Sequence, residues 1–151
     1  MSEHILEWKT AIPAPREVVF ALFSDAANLE RLTPPSLGFR ILTRPPIAMA
    51  EGTLIDYAIR LHGIPMRWRT RICNWDPPSG FIDEQIKGPY RKWVHQHTFE
   101  ETLSGTIMAD RVCYALPFAP LGEVAFPLVC SKLQKIFAFR EKAILRIFSS
   151  D

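Results

Sequence analysis

The stretch from Phe81 to Leu116 constrains the fold most, because apolar and polar residues alternate along it in three successive runs. Two turn sequences, Gly88-Pro89 and Leu103-Ser104-Gly105, separate these runs. Successive side chains of a strand point to opposite faces of a sheet, and Gly and Pro are typical of turns. The stretch therefore predicts three consecutive antiparallel strands joined by tight turns.

One predicted face of these strands mixes polar groups with aromatic ones, whereas the opposite face is charged and polar throughout. A buried polar group costs free energy unless it is paired. The mixed face is therefore either an internally paired core or the wall of a cavity, and we favour the cavity. Its residues are Phe81, Asp83, Gln85, Trp93, His95, His97, Phe99, Met108, Asp110, Val112, Tyr114 and Leu116.

The period of the apolar residues predicts the other elements. Residues 4–12 alternate and predict a first strand, and two short helices follow it before Pro34-Pro35. Alternation is weak over 38–43 and clear over 53–61 and 66–72, which predicts three more strands. From residue 121 to 148 the period lengthens to that of one long helix, in which Pro127 either causes a kink or marks the first turn.

This order of elements predicts an α+β fold in which a curved antiparallel sheet of about seven strands wraps around the long C-terminal helix. A sheet with one apolar face needs a cover, and only the last helix is long enough to provide it. A cavity remains where the helix does not reach the sheet, with the two short helices at its mouth. We expect a single domain over residues 1–151.

Charge and cysteine content narrow the functional classes. A formal net charge of +2 is too small to indicate nucleic-acid binding, and Arg67, Arg69 and Arg71 fit the solvated face of one strand. Three scattered cysteines argue against a disulfide framework or a zinc site and favour a reducing compartment. The sequence shows neither a secretory signal nor the roughly 18 apolar residues of a membrane span. We therefore expect a cytoplasmic protein.

Three segments carry a family resemblance: IPAPREVVFALFSDAANLERLTP, MRWRTRICNWDPPSGFIDEQIKGPYRKWVHQHTF and DRVCYALPFAPLG. Together with the order of elements, they resemble the helix-grip (SRPBCC) superfamily, which includes START lipid-transfer domains, Bet v 1-type proteins and polyketide cyclase/dehydratases. The resemblance covers essentially the whole chain and is strongest to a bacterial ligand-binding branch. It implies a helix-grip fold around an internal cavity. It also implies that the cavity holds a lipid, a quinone, a polyketide-like molecule or a similar ligand, and some members are enzymes.

The two turns predict which residues lie opposite one another on the inner face. In this register two carboxylates lie opposite two imidazoles, which would give the pairs Asp83–His95 and His97–Asp110. A slip of one residue would move every side chain to the other face. The predicted neighbours are Gln85–Trp93, Asp83–His95 and Phe81–His97 across the first turn, and Thr102–Gly105, His97–Asp110 and Trp93–Tyr114 across the second.

Three interpretations of these pairs remain open. The favoured one is a paired polar network that supports the fold or orients a ligand, since most buried polar groups are hydrogen-bonded. The second is general acid–base catalysis by a histidine whose tautomer a carboxylate selects. The third is a metal site, because His-x-His on a strand with a nearby carboxylate has ligand spacing. From the sequence we assign no catalytic residue, no metal ligand and no cofactor.

We therefore predict a protein that binds a hydrophobic or amphipathic small molecule in an internal cavity. One alternative is a cyclase/dehydratase-type enzyme that uses a cavity histidine as its acid–base group. Another is a regulatory protein-interaction domain without a ligand, with the proline-rich residues 34–46 as partner surface and a homodimer as its form. The predicted ligand-binding residues are Tyr57, Trp68, Asp83, Gln85, Trp93, His95, His97, Asp110 and Tyr114.

Overall fold

The computed structural model describes residues 2–61, 63–118 and 120–149, and these residues form a seven-stranded antiparallel sheet in the order β1-β7-β6-β5-β4-β3-β2. The first residue and the last two of the predicted domain lie outside the described ranges. The α+β helix-grip fold predicted from the sequence is confirmed. The strands are β1 (His4–Ile12), β2 (Arg40–Ile41), β3 (Leu54–Leu61), β4 (Ile64–Asp76), β5 (Gly80–Lys87), β6 (Lys92–Thr102) and β7 (Gly105–Ala115).

The helices are α1 (Arg16–Phe23), α2 (Leu121–Val124) and the long α3 (Phe126–Ile147). Two short 3-10 helices, Ala26–Glu30 and Pro35–Leu37, lie between α1 and β2. The second predicted short helix is thus a 3-10 helix, which Asp25 caps by accepting a hydrogen bond from the backbone nitrogen of Ala27 at 3.0 Å.

The predicted C-terminal helix begins later than its apolar pattern suggests. Residues 121–124 form the separate helix α2, and Pro127 lies in the first turn of α3. The first backbone N–H groups of a helix have no intrahelical partner, so proline is tolerated there. Of the two positions considered for Pro127, the first turn is therefore the observed one.

The inner face of the sheet is the one predicted. Phe81 pairs with His97 and Asp83 with His95 between β5 and β6. His97 pairs with Asp110, and Trp93 with Tyr114, between β6 and β7. These registers confirm the predicted neighbours. The ladder between β5 and β6 ends at Glu84–Val94, however, and Gln85 does not extend it.

Helix α3 covers this face with the buried residues Leu133, Phe137 and Ile144. Their spacing of four and seven residues places them on one side of the helix. Beneath α3 the core divides into two apolar clusters, one around Phe20, Phe81 and Ile144 and one around Trp68, Trp93 and Phe137. The polar residues of β6 lie between the two clusters.

No helix in the described part of the chain is both long and apolar enough to cross a bilayer. Cys73, Cys113 and Cys130 are free thiols and are only partly buried.

Replacing Ile144 with valine is expected to lower the free energy of unfolding by about 1 kcal/mol, because it removes a methyl group from a packed position. Ile144 is 1% exposed. The matched control is Ile5→Val, because Ile5 is 48% exposed on β1 and should change stability by less than about 0.5 kcal/mol. Urea unfolding of both variants measures the difference, and equal losses would contradict the packing of α3 described above.

Candidate functional site: an aromatic cavity with a charged end

A cavity of about 180 Å³ lies between the inner face of the sheet and α3. Strands β3 to β6 supply most of its wall, α3 closes one side, and the 3-10 helices and the segments around them close another. Most of the lining is aliphatic or aromatic. The polar exceptions are Thr33, Thr70, Asp83, His95, His97 and Arg140, together with the polar atoms of Tyr57, Trp68, Tyr90 and Trp93.

Four aromatic side chains form one wall of this cavity. The rings of Tyr57 and Trp68 are stacked with their centroids 5.8 Å apart. Trp93 meets Trp68 edge-on at 5.3 Å, and Tyr90 lies 4.8 Å from Trp93. Burial raises the pKa of Tyr57 and of Tyr90, so both phenols stay protonated at neutral pH. This wall therefore offers a ligand neutral aromatic surface.

Beside this wall, the cavity is lined by Asp83, His95, His97 and Arg140, and Asp110 lies behind the histidines. We call these five residues the charged cluster. His95 Nε2 lies 2.8 Å from Asp110 Oδ1, and His97 Nε2 lies 2.5 Å from Asp83 Oδ2. The guanidinium of Arg140 forms an ion pair with Asp110, whose Oδ1 lies 3.3 Å away. The side chains of His95, His97 and Asp110 are at most 5% exposed, and that of Asp83 is 19% exposed.

The closest carboxylate–imidazole contacts correct the prediction. The residues that lie directly opposite, Asp83 and His95, approach only to 3.5 Å, and His97 and Asp110 also approach to 3.5 Å. The shorter contacts run diagonally, from Asp83 to His97 and from Asp110 to His95. Strand twist and long side chains allow such diagonal neighbours to meet. The two imidazoles stack on each other with centroids 3.8 Å apart.

The surroundings of His97 select its tautomer. The Arg140 guanidinium, which can only donate, lies 3.3 Å from His97 Nδ1, so Nδ1 accepts and Nε2–H donates to Asp83. Burial, followed by the neighbouring His95, lowers the pKa of His97 to about 4. His97 is therefore a neutral imidazole at neutral pH.

Both aspartates remain ionised at neutral pH. Burial alone would raise the pKa of Asp110, but Arg140 and His95 outweigh it and hold that pKa below its usual value. Burial is likewise outweighed at Asp83, where His95 and the hydrogen bond from His97 lower the pKa. Arg140 is thus a fixed positive charge beside the buried Asp110 and the partly buried Asp83.

Arg140 is the principal site residue that the sequence prediction missed. It lies on the buried side of α3, three residues after Phe137 and four before Ile144, and its guanidinium carbon lies 5.2 Å from the ring centre of Phe23. The sequence signal that could have identified it is an arginine on the apolar stripe of an amphipathic helix, because a charged side chain is rarely buried without an oppositely charged partner. Tyr90, in the loop between β5 and β6, was missed as well.

Six of the nine predicted ligand-binding residues line the cavity: Tyr57, Trp68, Asp83, Trp93, His95 and His97. The structure places the other three elsewhere. Gln85 closes the loop after β5, donating to the carbonyl of Tyr90 at 2.7 Å and accepting from its N–H at 3.1 Å. Asp110 lies behind the histidines, and Tyr114 packs behind Trp93 with 2% of its surface exposed.

Two buried donors at the cavity lack a hydrogen-bond partner among the described residues. They are the indole Nε1 of Trp68 and the guanidinium Nε of Arg140. A buried unsatisfied donor costs about 1–3 kcal/mol, so each of these two groups would gain from an acceptor within hydrogen-bond distance.

The sheet, the long covering helix and the enclosed cavity define a helix-grip protein of the Bet v 1-like kind, which is a ligand-binding cavity fold. Residues 12–138 match the family described as polyketide cyclase/dehydrase and lipid transport. The chain belongs to this family. No curated protein matches the sequence.

Several solved structures share the fold. Protein TTHA0849 from Thermus thermophilus is 22% identical with a TM-score of 0.67, over 98% of this chain and 100% of that one. Zhui aromatase/cyclase from Streptomyces sp. R1128 is 13% identical with a TM-score of 0.76, over 95% and 92%. Major latex-like protein 151 from Panax ginseng is 11% identical with a TM-score of 0.67, over 97% and 98%. At these identities the likeness concerns the fold.

Proposed function

We propose that this chain, as a single domain over residues 1–151, binds a hydrophobic or amphipathic small molecule whose polar atoms are hydrogen-bond acceptors. The main support for this proposal is that two residues lining a largely apolar cavity, Trp68 and Arg140, each have a buried donor without a hydrogen-bond partner among the described residues. These donors are Trp68 Nε1 and Arg140 Nε. Burial of apolar surface would supply most of the affinity. An acceptor oxygen at either donor would remove an unsatisfied group and fix the orientation of the ligand.

The size of the cavity fits one compact ligand or the end of a longer one. An engineered protein cavity of about 150 Å³ binds benzene, and this cavity of about 180 Å³ is slightly larger. A ring system or a short alkyl segment fits against the aromatic wall, with its oxygen directed towards Trp68 or Arg140. Quinones, lipids with a carbonyl group and polyketide-like molecules all satisfy this description.

The contacts of the histidines favour binding over acid–base catalysis. His97 has both ring nitrogens engaged, by Asp83 and by Arg140. His95 contacts Asp110 through Nε2, and its Nδ1 lies 3.5 Å from Asp83. A general base must lie within hydrogen-bond reach of the proton that it abstracts. Among the described residues, hydrogen bonds thus occupy both ring nitrogens of His97 and Nε2 of His95.

The direct test is native mass spectrometry and solvent extraction of protein purified from cells without added ligand. We expect a co-purifying compound that is apolar and carries at least one carbonyl, ether or similar acceptor oxygen. Protein that remains ligand-free and also fails to bind fluorescent apolar probes would contradict the proposal. The expected cytoplasmic location and the homodimer stay predictions, which fractionation and sedimentation can measure.

Replacing Trp68 with phenylalanine is expected to weaken the binding of an acceptor-bearing probe, such as a naphthoquinone, by about fivefold. The substitution keeps an aromatic ring and removes one donor, and a hydrogen bond contributes about 1 kcal/mol. The matched control is naphthalene, which has no acceptor and should lose much less affinity. Equal losses for the two probes, measured by fluorescence titration, would show that the indole N–H makes no bond to the ligand.

A further inference from the structure

Three side chains of the charged cluster direct ligand atoms at one another. His97 Nε2 lies 2.5 Å and His95 Nδ1 lies 3.5 Å from the same oxygen, Asp83 Oδ2. The three residues offer ligand atoms that all lie within 4.8 Å of one another. We propose that Asp83, His95 and His97 bind one divalent first-row transition-metal ion, and that Asp110 is the positioning residue behind them.

The ligand types fit such an ion. Two imidazole nitrogens and one carboxylate oxygen suit zinc, iron(II) and their neighbours better than calcium or magnesium, which prefer oxygen ligands. Three protein ligands leave at least one coordination position open. Because Asp83, His95 and His97 all line the cavity, that position would face the interior, where water or an acceptor oxygen could occupy it.

Asp110 provides the independent structural support. The ring nitrogens that face away from Asp83 are His95 Nε2 and His97 Nδ1, and they lie 2.8 Å and 3.5 Å from one oxygen, Asp110 Oδ1. A histidine that binds a metal almost always donates its other ring N–H to a carboxylate or carbonyl, which orients the ring. Here one buried carboxylate serves both rings, and Arg140 holds that carboxylate at 3.3 Å.

Binding of the ion requires two small rearrangements. Donor atoms at about 2.0–2.1 Å from a tetrahedral ion lie about 3.4 Å apart. The distance from Asp83 to His95 already matches, whereas that from Asp83 to His97 must widen by about 1 Å to reach the same tetrahedral separation. Asp83 can make this movement, because its side chain is the most exposed of the cluster at 19%.

The second rearrangement moves one proton. His97 Nε2 must give up its proton to bind the ion, and the proton returns to the ring at Nδ1, which faces Asp110 Oδ1. Arg140 then loses its contact with His97 Nδ1 and keeps its contact with Asp110. The imidazole stays neutral throughout, so the charge of the protein changes only by that of the ion.

The test uses the full chain, stripped with a chelator, dialysed and titrated with Co²⁺ and with Zn²⁺. We expect one equivalent to bind, with the visible absorption of Co²⁺ in a site of low coordination number. In NMR spectra of the wild-type protein, Zn²⁺ should shift the imidazole resonances of His95 and His97 and leave those of His4 unchanged. Absence of saturable uptake, or unchanged resonances of His95 and His97, would overturn the proposal without any variant.

The variants separate ligands from the positioning residue. His95→Gln and His97→Gln should each weaken Co²⁺ binding by about 100-fold or more, and Asp110→Asn by about 10- to 100-fold. His4→Gln is the matched control, because His4 also pairs with a carboxylate, Glu123 at 2.8 Å, away from the cavity; it should bind Co²⁺ as the wild type does. Undiminished uptake by the His95 and His97 variants would refute the site.

The metal titration is independent of the proposed function. It requires no organic ligand, so a protein that binds Co²⁺ but no apolar probe would support the metal site and contradict the proposed function. The opposite result would do the reverse.

Discussion

Replacing Arg140 with methionine is expected to lower the free energy of unfolding by about 3–5 kcal/mol. The substitution keeps most of the apolar stem and removes the guanidinium that acts on both Asp83 and Asp110. Removing one partner of a buried ion pair leaves an uncompensated buried charge, which destabilises the fold more than replacing both partners does. Urea unfolding at neutral pH measures the loss, provided that the dependence on urea concentration keeps its slope.

Two further variants give this prediction its controls. Arg111→Met removes an exposed arginine that lies 3.8 Å from Glu7, with both side chains more than half exposed, and it should change stability by less than about 1 kcal/mol. The double variant Arg140→Met with Asp110→Asn removes both charges and should recover about 1–3 kcal/mol of the loss. A loss as small as that of Arg111→Met would mean that Arg140 does not neutralise the buried carboxylates.

Replacing Trp93 with alanine is expected to weaken the binding of an apolar probe by about 30-fold. Trp93 is 9% exposed and lies in the aromatic wall between Trp68 and Tyr90. The loss of about 80 Å² of apolar contact with a ligand corresponds to about 2 kcal/mol, which is about 30-fold in the dissociation constant. Fluorescence titration with an environment-sensitive apolar dye measures the change.

Trp75→Ala is the matched control for this experiment. Trp75 packs against Phe20 and Phe81 in the other apolar cluster and does not contribute to the cavity lining. Both variants lose a large aromatic side chain, so both should be less stable than the wild type. Only Trp93→Ala should lose probe affinity in measurements made well below the unfolding transition, and equal losses would refute the assignment of the aromatic wall.

The sheet registers could be predicted from the sequence because local signals specify them. Turn residues after β5 and β6, with strict alternation on either side, leave one register that buries Phe81, His95 and His97 together. The pairing of the histidines could not be predicted, because it depends on strand twist. The residues directly opposite the two histidines were identified correctly, yet the shorter contacts are the diagonal ones.

The sequence prediction missed Arg140 and wrongly assigned Gln85 to the site, for different physical reasons. The role of Arg140 depends on the angle at which α3 crosses the sheet, and the spacing of apolar residues along the helix does not specify that angle. Gln85 shows the inward alternation of its strand, but a local loop uses its amide for the backbone of Tyr90. The volume of the cavity is a small difference between the space that the sheet encloses and the side chains that fill it, so composition does not determine it.

The position of Arg140 on the last helix has a consequence for how the binding site comes into existence. Asp83 and Asp110 belong to β5 and β7, which precede α3 in the sequence. Until α3 docks on the sheet, both carboxylates lack the positive charge of Arg140, and the cavity is open on the side that α3 covers. The docking of α3 therefore neutralises the carboxylates and encloses the cavity in the same step. A ligand that binds the enclosed cavity also stabilises the docked position of α3. As the fraction of ligand-bound protein rises, the protection of the α3 amides from hydrogen exchange is therefore expected to rise with it.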